Sequence, residues 1–116
     1  LSEKNINTSA AYRVAQGGFE FVPVCHVRDL KSLVPLCLDK KIPIIATNPT
    51  TGTELYKFKF PKKAIIFFGH EERGLSRELL LASTSGISIP GSGTVQSLNV
   101  SVSTAVITAE FNRQML

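Results

Sequence analysis

The chain has 116 residues, 43% of them hydrophobic, and a formal net charge of +4. That length suits one domain, 1–116, with enough apolar material for a real core. No run approaches the ~18 consecutive apolar residues of a membrane-spanning helix, and the mild positive charge is compatible with nucleic acid without requiring it.

The chain opens on Leu1 rather than Met, and LSEKNINTSAAYR lacks the basic start and apolar centre of a secretory signal. A fragment or processed product in the cytoplasm is expected, a mitochondrial protein without its targeting segment being the other reading. Residues 3–16 read as a helix closed by Gly17 and Gly18. FEFVPVCHV, 19–27, reads as a strand in which Pro23 marks an edge or bulge. Asp29 is a fair N-cap for a helix over 29–41, where Leu30, Leu33, Leu36 and Cys37 recur at helical spacing and Pro35 weakens the pattern. IPIIAT, 42–47, is a short apolar strand, and 47–55 is rich in turn residues.

The clearest buried strand is Ala64 to Phe68, continuously apolar and then abruptly polar. LSRELLLAS follows as a short helix with Ser76 as its cap, and GISIP, 86–90, is another strand. Residues 97–115 read as a final helix with Leu98, Val102, Ala105, Val106 and Ala109 on its apolar stripe. Strands alternating with helices, and strands apolar throughout, predict an α/β fold: a mostly parallel sheet with helices on both faces. Ligands of such sheets gather at the carboxyl ends of the strands. Thr47, Gly69–Glu71 and Ile89–Gly93 all fall there.

Cys25 and Cys37 match neither a zinc spacing nor a disulfide framework, so both are expected to be buried thiols and no metal site is expected. Lys57, Lys59, Lys62 and Lys63 are interleaved with aromatics in YKFKFPKK. The plain reading is a solvated loop with snorkelling lysines, and the functional one is a phosphate-contacting patch. In GHEERG the first glycine permits close backbone approach, and Glu71 can accept hydrogen bonds from a ribose, an ammonium group or an arginine. The plain alternative is a strand-to-helix turn with a solvated glutamate. GSGTVQS lacks the lysine of a phosphate loop. His26 and His70 show no hydrolase spacing. At SLNVS, 97–101, a helix cap competes with a ligand site built on the loop and the helix it starts.

In order, FFGHEERGLSREL, SIPGSG and SLNVSVSTAVITAEF resemble two motifs of the SpoU (TrmH) family of RNA ribose 2′-O-methyltransferases, within the SPOUT superfamily. The first of the two is apolar-apolar-Gly-x-Glu-x-x-Gly-Leu-Ser. The second is Ile-Pro, a glycine pair, then Ser-Leu-Asn-Val-Ser and a helix. Gly69 and Ile89 stand twenty positions apart and Ile89 and Leu98 nine, as the family has them. TSAAYRVAQGGFEFVPV extends the likeness weakly toward the start of the chain. His70 replaces a frequent Asn and Glu72 a frequent Gly. An earlier motif, with an Asn, a Gly and a ribose-activating or RNA-contacting Arg, has no match in residues 1–20, so the C-terminal two-thirds of a catalytic domain is expected.

The resemblance implies a C-terminal trefoil knot, which nothing in the composition would suggest. It also implies a homodimer with part of its site near the subunit interface, and S-adenosyl-L-methionine as cofactor. Thr47, Gly69, His70, Ile89, Gly93 and Leu98 would bind the cofactor, and Glu71, Asn99 and Ser97 would serve catalysis by orienting the missing arginine or the ribose. The implied substrate is a ribose 2′-hydroxyl of transfer or ribosomal RNA. The alternatives are a non-catalytic relative that binds cofactor or RNA, and an unrelated nucleotide-binding α/β domain.

Overall fold

The computed structural model describes residues 18–70, 72–92 and 98–116, apart from the side chain of Phe19. The helix expected over 3–16 lies outside them. In chain order the described elements are a helical turn α1 (Gly18–Phe21), a 3-10 turn (Leu30–Ser32), α2 (Leu33–Asp39), β1 (Ile44–Thr47), β2 (Thr53–Glu54), a second 3-10 turn (Leu55–Lys57), β3 (Ile65–Phe67), α3 (Arg77–Ala82), β4 (Ser85–Ser88) and α4 (Val100–Met115).

The four strands form one sheet in the order β2-β4-β1-β3, with every pair parallel. Alternate residues leave a strand on opposite faces, so consecutive apolar residues need cover on both. Ile45, Ile66 and Ile87 point to one face, where they pack with Leu55, Phe60 and Ile107 of α4. Ile44, Ile65 and Phe67 point to the other, against Cys37 of α2 and Leu79 of α3. The expected parallel sheet with helices on both faces is therefore present.

Local chemistry sets the element ends. The Ser76 hydroxyl accepts from the Leu79 amide at 3.4 Å, so the expected cap of α3 is in place. The Asp29 carboxylate accepts from the Lys31 amide at 2.9 Å, but it caps the 3-10 turn. α2 starts only at Leu33, so the helix expected over 29–41 is two shorter pieces. Pro35 does not weaken α2, because it falls in the first turn, where amides have no partner within the helix. The turn-rich stretch contains a strand that composition concealed. The Asn48 side-chain oxygen accepts from the Thr50 and Thr51 amides, and the Ser88 hydroxyl donates to Gly52 O at 3.1 Å. A Cβ on Gly52 would stand 2.5 Å from Asn48 O and from the Ile87 carbonyl carbon. Only glycine lets this loop lie flat enough on β4 for β2 to pair with it.

Three further expectations are corrected. Residues 19–27 are not a strand: α1 ends at Phe21, and no described residue from 22 to 28 joins the sheet. Phe21 is 84% exposed, and Val22 and Val24 are exposed too. A β-rich composition stabilises nothing without a partner strand. Cys25, on this segment, is consequently exposed, while Cys37 is buried as expected.

The third correction concerns α4. Of the expected stripe only Val106 faces the core; Leu98, Val102, Ala105 and Ala109 are exposed. The inner face carries Ile107, Phe111 and the buried Glu110. Glu110 is tolerated there because its carboxylate is fully partnered. Arg113 donates to it twice at 2.7 Å, and the Gln114 amide donates to it at 2.8 Å. Gln114 also donates to Phe58 O at 2.8 Å and accepts from the Phe60 amide at 3.0 Å. Phe60 meets Phe58 and Phe111 edge-on. This network fastens segment 58–60 to the end of α4.

Two outcomes test this packing. Replacing Ile107 by Ala should cost about 2–5 kcal/mol in urea unfolding. Ala105→Glu should cost less than about 0.5 kcal/mol, as at a surface position, although the sequence pattern points it inward. The second outcome concerns acid. Hydrogen bonds from Arg113 and then Gln114 hold the Glu110 carboxyl down at about 2, from an ordinary 4.5. A lowered native value means stability that is full above about pH 4.5 and lost as pH falls toward 2. Glu110→Gln should flatten that part of the pH–stability curve, read by thermal unfolding between pH 2 and 6.

Candidate functional site

Three strand ends meet at the carboxyl edge of the sheet. Thr47 closes β1, in register with Ile87 of β4, and its hydroxyl donates to Phe67 O of β3 at 3.2 Å. The next amide, Asn48 N–H, donates to Ile87 O at 2.8 Å. Gly69 and Ile89 each stand two residues beyond these partners, so Thr47, Gly69 and Ile89 share one half-buried edge. β4, β1 and β3 are adjacent, which is why residues far apart in sequence gather there.

The loop leaving β3 closes on itself. His70 and Gly74 exchange amide–carbonyl hydrogen bonds at 3.1 and 2.7 Å. The His70 Nδ1 accepts from the Glu72 amide at 3.2 Å. Gly74 sits at φ +66, where glycine is strongly favoured. A Cβ on Gly69 would lie 2.6 to 2.8 Å from the backbone of Gly74 and Leu75. Gly69 thus serves first to let the two arms of its own loop touch. His70 is exposed at the loop's start. Glu71 lies outside the described residues, as do Gly93 and Ser97.

Leu98 and Asn99 stand at the foot of α4. Leu98 leaves 46% of its surface exposed, a large apolar side chain open to contact. The Asn99 side-chain oxygen accepts from the Ser101 amide at 2.8 Å and from the Ser101 hydroxyl. The cap reading of SLNVS is therefore realised in the structure. No hydrogen bond among the described residues ties Leu98 or Asn99 to the strand ends. Their link to the edge runs through α4, whose Val106 and Ile107 share a cluster with Ile89. Among the described residues no three His, Cys, Asp or Glu side chains gather as metal ligands, and no helix is long and apolar enough to cross a membrane.

Residues 1–109 match the model of the SpoU rRNA Methylase family. The chain belongs to this family. Among its relatives is a 23S rRNA (guanosine-2′-O-)-methyltransferase RlmB of Salmonella typhi, 34% identical over 106 residues, which are 91% of this chain and 44% of that one. The chain thus spans less than half the length of that relative. A solved structure of an A. aeolicus TrmH/SpoU tRNA modifying enzyme superposes with a TM-score of 0.79 at 28% identity, covering 89% of this chain and 53% of the other. The SpoU methyltransferase AviRb of Streptomyces viridochromogenes, solved in complex with AdoMet, shares the fold with a TM-score of 0.85 at 21% identity, over 96% of this chain and 46% of that one.

Within this SpoU chain, the two motif loops start from the same sheet edge, at Phe68–Gly69 and at Ile89–Pro90. Sequence reasoning named the residues of that edge. It missed the Gly69–Gly74 contact, which a pair of glycines five positions apart could have signalled, and the Asn48–Gly52 clasp.

Asn99→Ala should lower folding stability by about 1 kcal/mol, the usual cost of a lost N-cap. Asn99→Asp keeps an acceptor oxygen and adds charge favoured at a helix start, so it should be close to neutral. Chemical denaturation of the three proteins measures both.

Proposed function

We propose that the chain, acting as one SpoU-type domain, carries the methyl-transfer site of an S-adenosyl-L-methionine-dependent RNA ribose 2′-O-methyltransferase, working on transfer or ribosomal RNA. The observation that carries this reading is the shared carboxyl edge of β4, β1 and β3, from which both motif loops depart. Family membership supports it, as do relatives whose names describe 2′-O-methylation of ribosomal RNA. The knotted path of the C-terminal segment and the homodimer belong to the same proposal.

The residues present fit the cofactor. A flat base needs backbone groups it can approach and apolar walls. Thr47, Gly69 and Ile89 offer half-buried backbone along one edge, and Leu98 an exposed apolar side chain. In this reading Thr47, Gly69, His70, Ile89, Gly93 and Leu98 hold the cofactor. Once bound, S-adenosyl-L-methionine supplies a methyl carbon already activated by its sulfonium charge. The chain's task is then placement. A ribose hydroxyl is a weak nucleophile at neutral pH, and its 2′-oxygen must lose a proton during attack. Glu71, Ser97 and Asn99 orient that ribose or the arginine that activates it. Holding the hydroxyl in line contributes much of the rate, since effective molarities for aligned groups are very large.

Calorimetry with S-adenosyl-L-methionine and transfer of a labelled methyl group to RNA test the proposal together. Asn99→Asp, which keeps the cap, should leave cofactor affinity within about threefold and slow single-turnover transfer by about 10²-fold, the scale of a misplaced reacting group. Equal loss of both would remove Asn99 from its orienting role. Cofactor binding without any transfer would make the chain a non-catalytic relative, and absence of both would defeat the proposal.

A further inference from the structure

The lysine-aromatic run at 56–63 has no part in the site just described. The structure sorts its residues. Phe58 and Phe60 turn inward to the α4 cluster. Tyr56 stays 60% exposed, and Lys57, Lys59, Lys62 and Lys63 are all exposed. Between this run and the last turn of α4 lies a groove of about 430 Å³, lined by Tyr56, Phe58, Lys59, Phe60, Arg113 and Gln114. That volume falls in the range of small-ligand clefts.

The charges around the groove are unequal in availability. Lys57 pairs with Glu54 at 3.0 Å, and Arg113 with Glu110 at 2.7 Å. Among the described residues Lys59, Lys62 and Lys63 have no acidic partner, and the two nearby carboxylates are already engaged. The local balance is therefore positive: Lys59 lines the groove with Tyr56 and keeps its charge unneutralised, and the exposed Lys62 and Lys63 follow it three and four residues on. Cations that follow a phosphate backbone, next to a ring on which a base stacks, are what single-stranded or looped RNA recognises.

The groove lies toward the opposite end of α4 from Asn99. Asn99 caps one end of α4 and Arg113 sits near the other. Fourteen residues of helix span about 20 Å at 1.5 Å each. We propose that this groove is a second RNA-docking site, which grips the phosphate backbone and one base of the substrate remote from the nucleotide that is methylated. The inference rests on the reading of the substrate as RNA. It adds a place and a set of residues that this reading does not supply.

The test uses the full chain and unfractionated tRNA as probe, with affinity followed by fluorescence anisotropy from 50 to 200 mM salt. The variant Lys59→Gln/Lys62→Gln/Lys63→Gln should weaken binding at least tenfold at the lower salt. It should also reduce the slope of log affinity against log salt by about 2, as expected for three lost phosphate contacts. Tyr56→Ala should weaken binding about fivefold or more with the slope unchanged, because stacking carries no counterion release. Calorimetry with S-adenosyl-L-methionine should give the same affinity for every variant and the wild type. A charge-matched control, Arg28→Gln/Lys40→Gln/Lys41→Gln, separates a groove from net charge. Unchanged RNA affinity and slope in the groove variants, or an equal loss in the control, would overturn the docking site. So would a wild type that binds the cofactor but no RNA. A wild type that binds RNA through the groove yet never binds the cofactor would leave docking standing and defeat the methyltransferase reading alone.

Discussion

Ile44 and Ile45 are neighbours in sequence, leave β1 on opposite faces, and are both sealed from solvent. That is possible only for a strand inside a sheet covered on each side. α2 and α3 supply the cover over Ile44, and α4 supplies it over Ile45. With β1 fixed between β4 and β3, all three strands must end along the same edge. Each chain crossing from one strand to the next must then leave from that edge. The meeting of Thr47, Gly69 and Ile89 is a consequence of burying two adjacent isoleucines.

The edge gets its shape from backbone more than from side chains. Gly69 and Gly52 each sit where a Cβ would collide with neighbouring main chain. The loop after β3 is closed by a pair of amide–carbonyl bonds, and the loop after β1 is wound around the Asn48 side chain. A rim made this way does not depend on the identity of exposed side chains such as His70 and Glu72. Asn99 is the exception, because one side chain both starts α4 and occupies the motif position. Under the proposed methyl-transfer role, a defect in the helix start and a defect in the chemistry would look alike in any variant that loses its oxygen.

Much of this layout was legible in the residues. Continuous apolar runs at 44–46 and 64–68, each followed by abrupt polarity, marked strands whose carboxyl ends bear polar groups. Asp29 and Ser76 marked helix starts. What the sequence concealed depended on partners distant in the chain. The period of α4 was readable, but its phase was not. Alanines at 105 and 109 fit either face, and Glu110 turns inward only because Arg113 and Gln114 satisfy its carboxylate. Residues 19–27 have the composition of a strand and pair with no strand among the described residues. β2, two residues long inside a run of turn formers, exists because Gly52 lets that loop settle on β4.

The same network explains why the positive charge could not be placed from composition. Gln114 holds the main chain of Phe58 and Phe60 against α4, and both rings enter the core from there. Along an extended segment the side chain between two inward residues must point outward. Lys59 is displayed to solvent because its neighbours are buried. Arg113 stands at the helix end where carbonyl groups leave partial negative charge, a position that favours a cation. Its pairing with Glu110 then spends its charge on packing, and Lys57 is spent likewise on Glu54. Of the five cations in the 56–63 run and the last turn of α4, Lys59, Lys62 and Lys63 form no ion pair among the described residues, and the core neither needs nor neutralises them. A basic surface of this kind is built by the packing of its aromatic neighbours, so the grip on an anion and the seat of α4 share one framework.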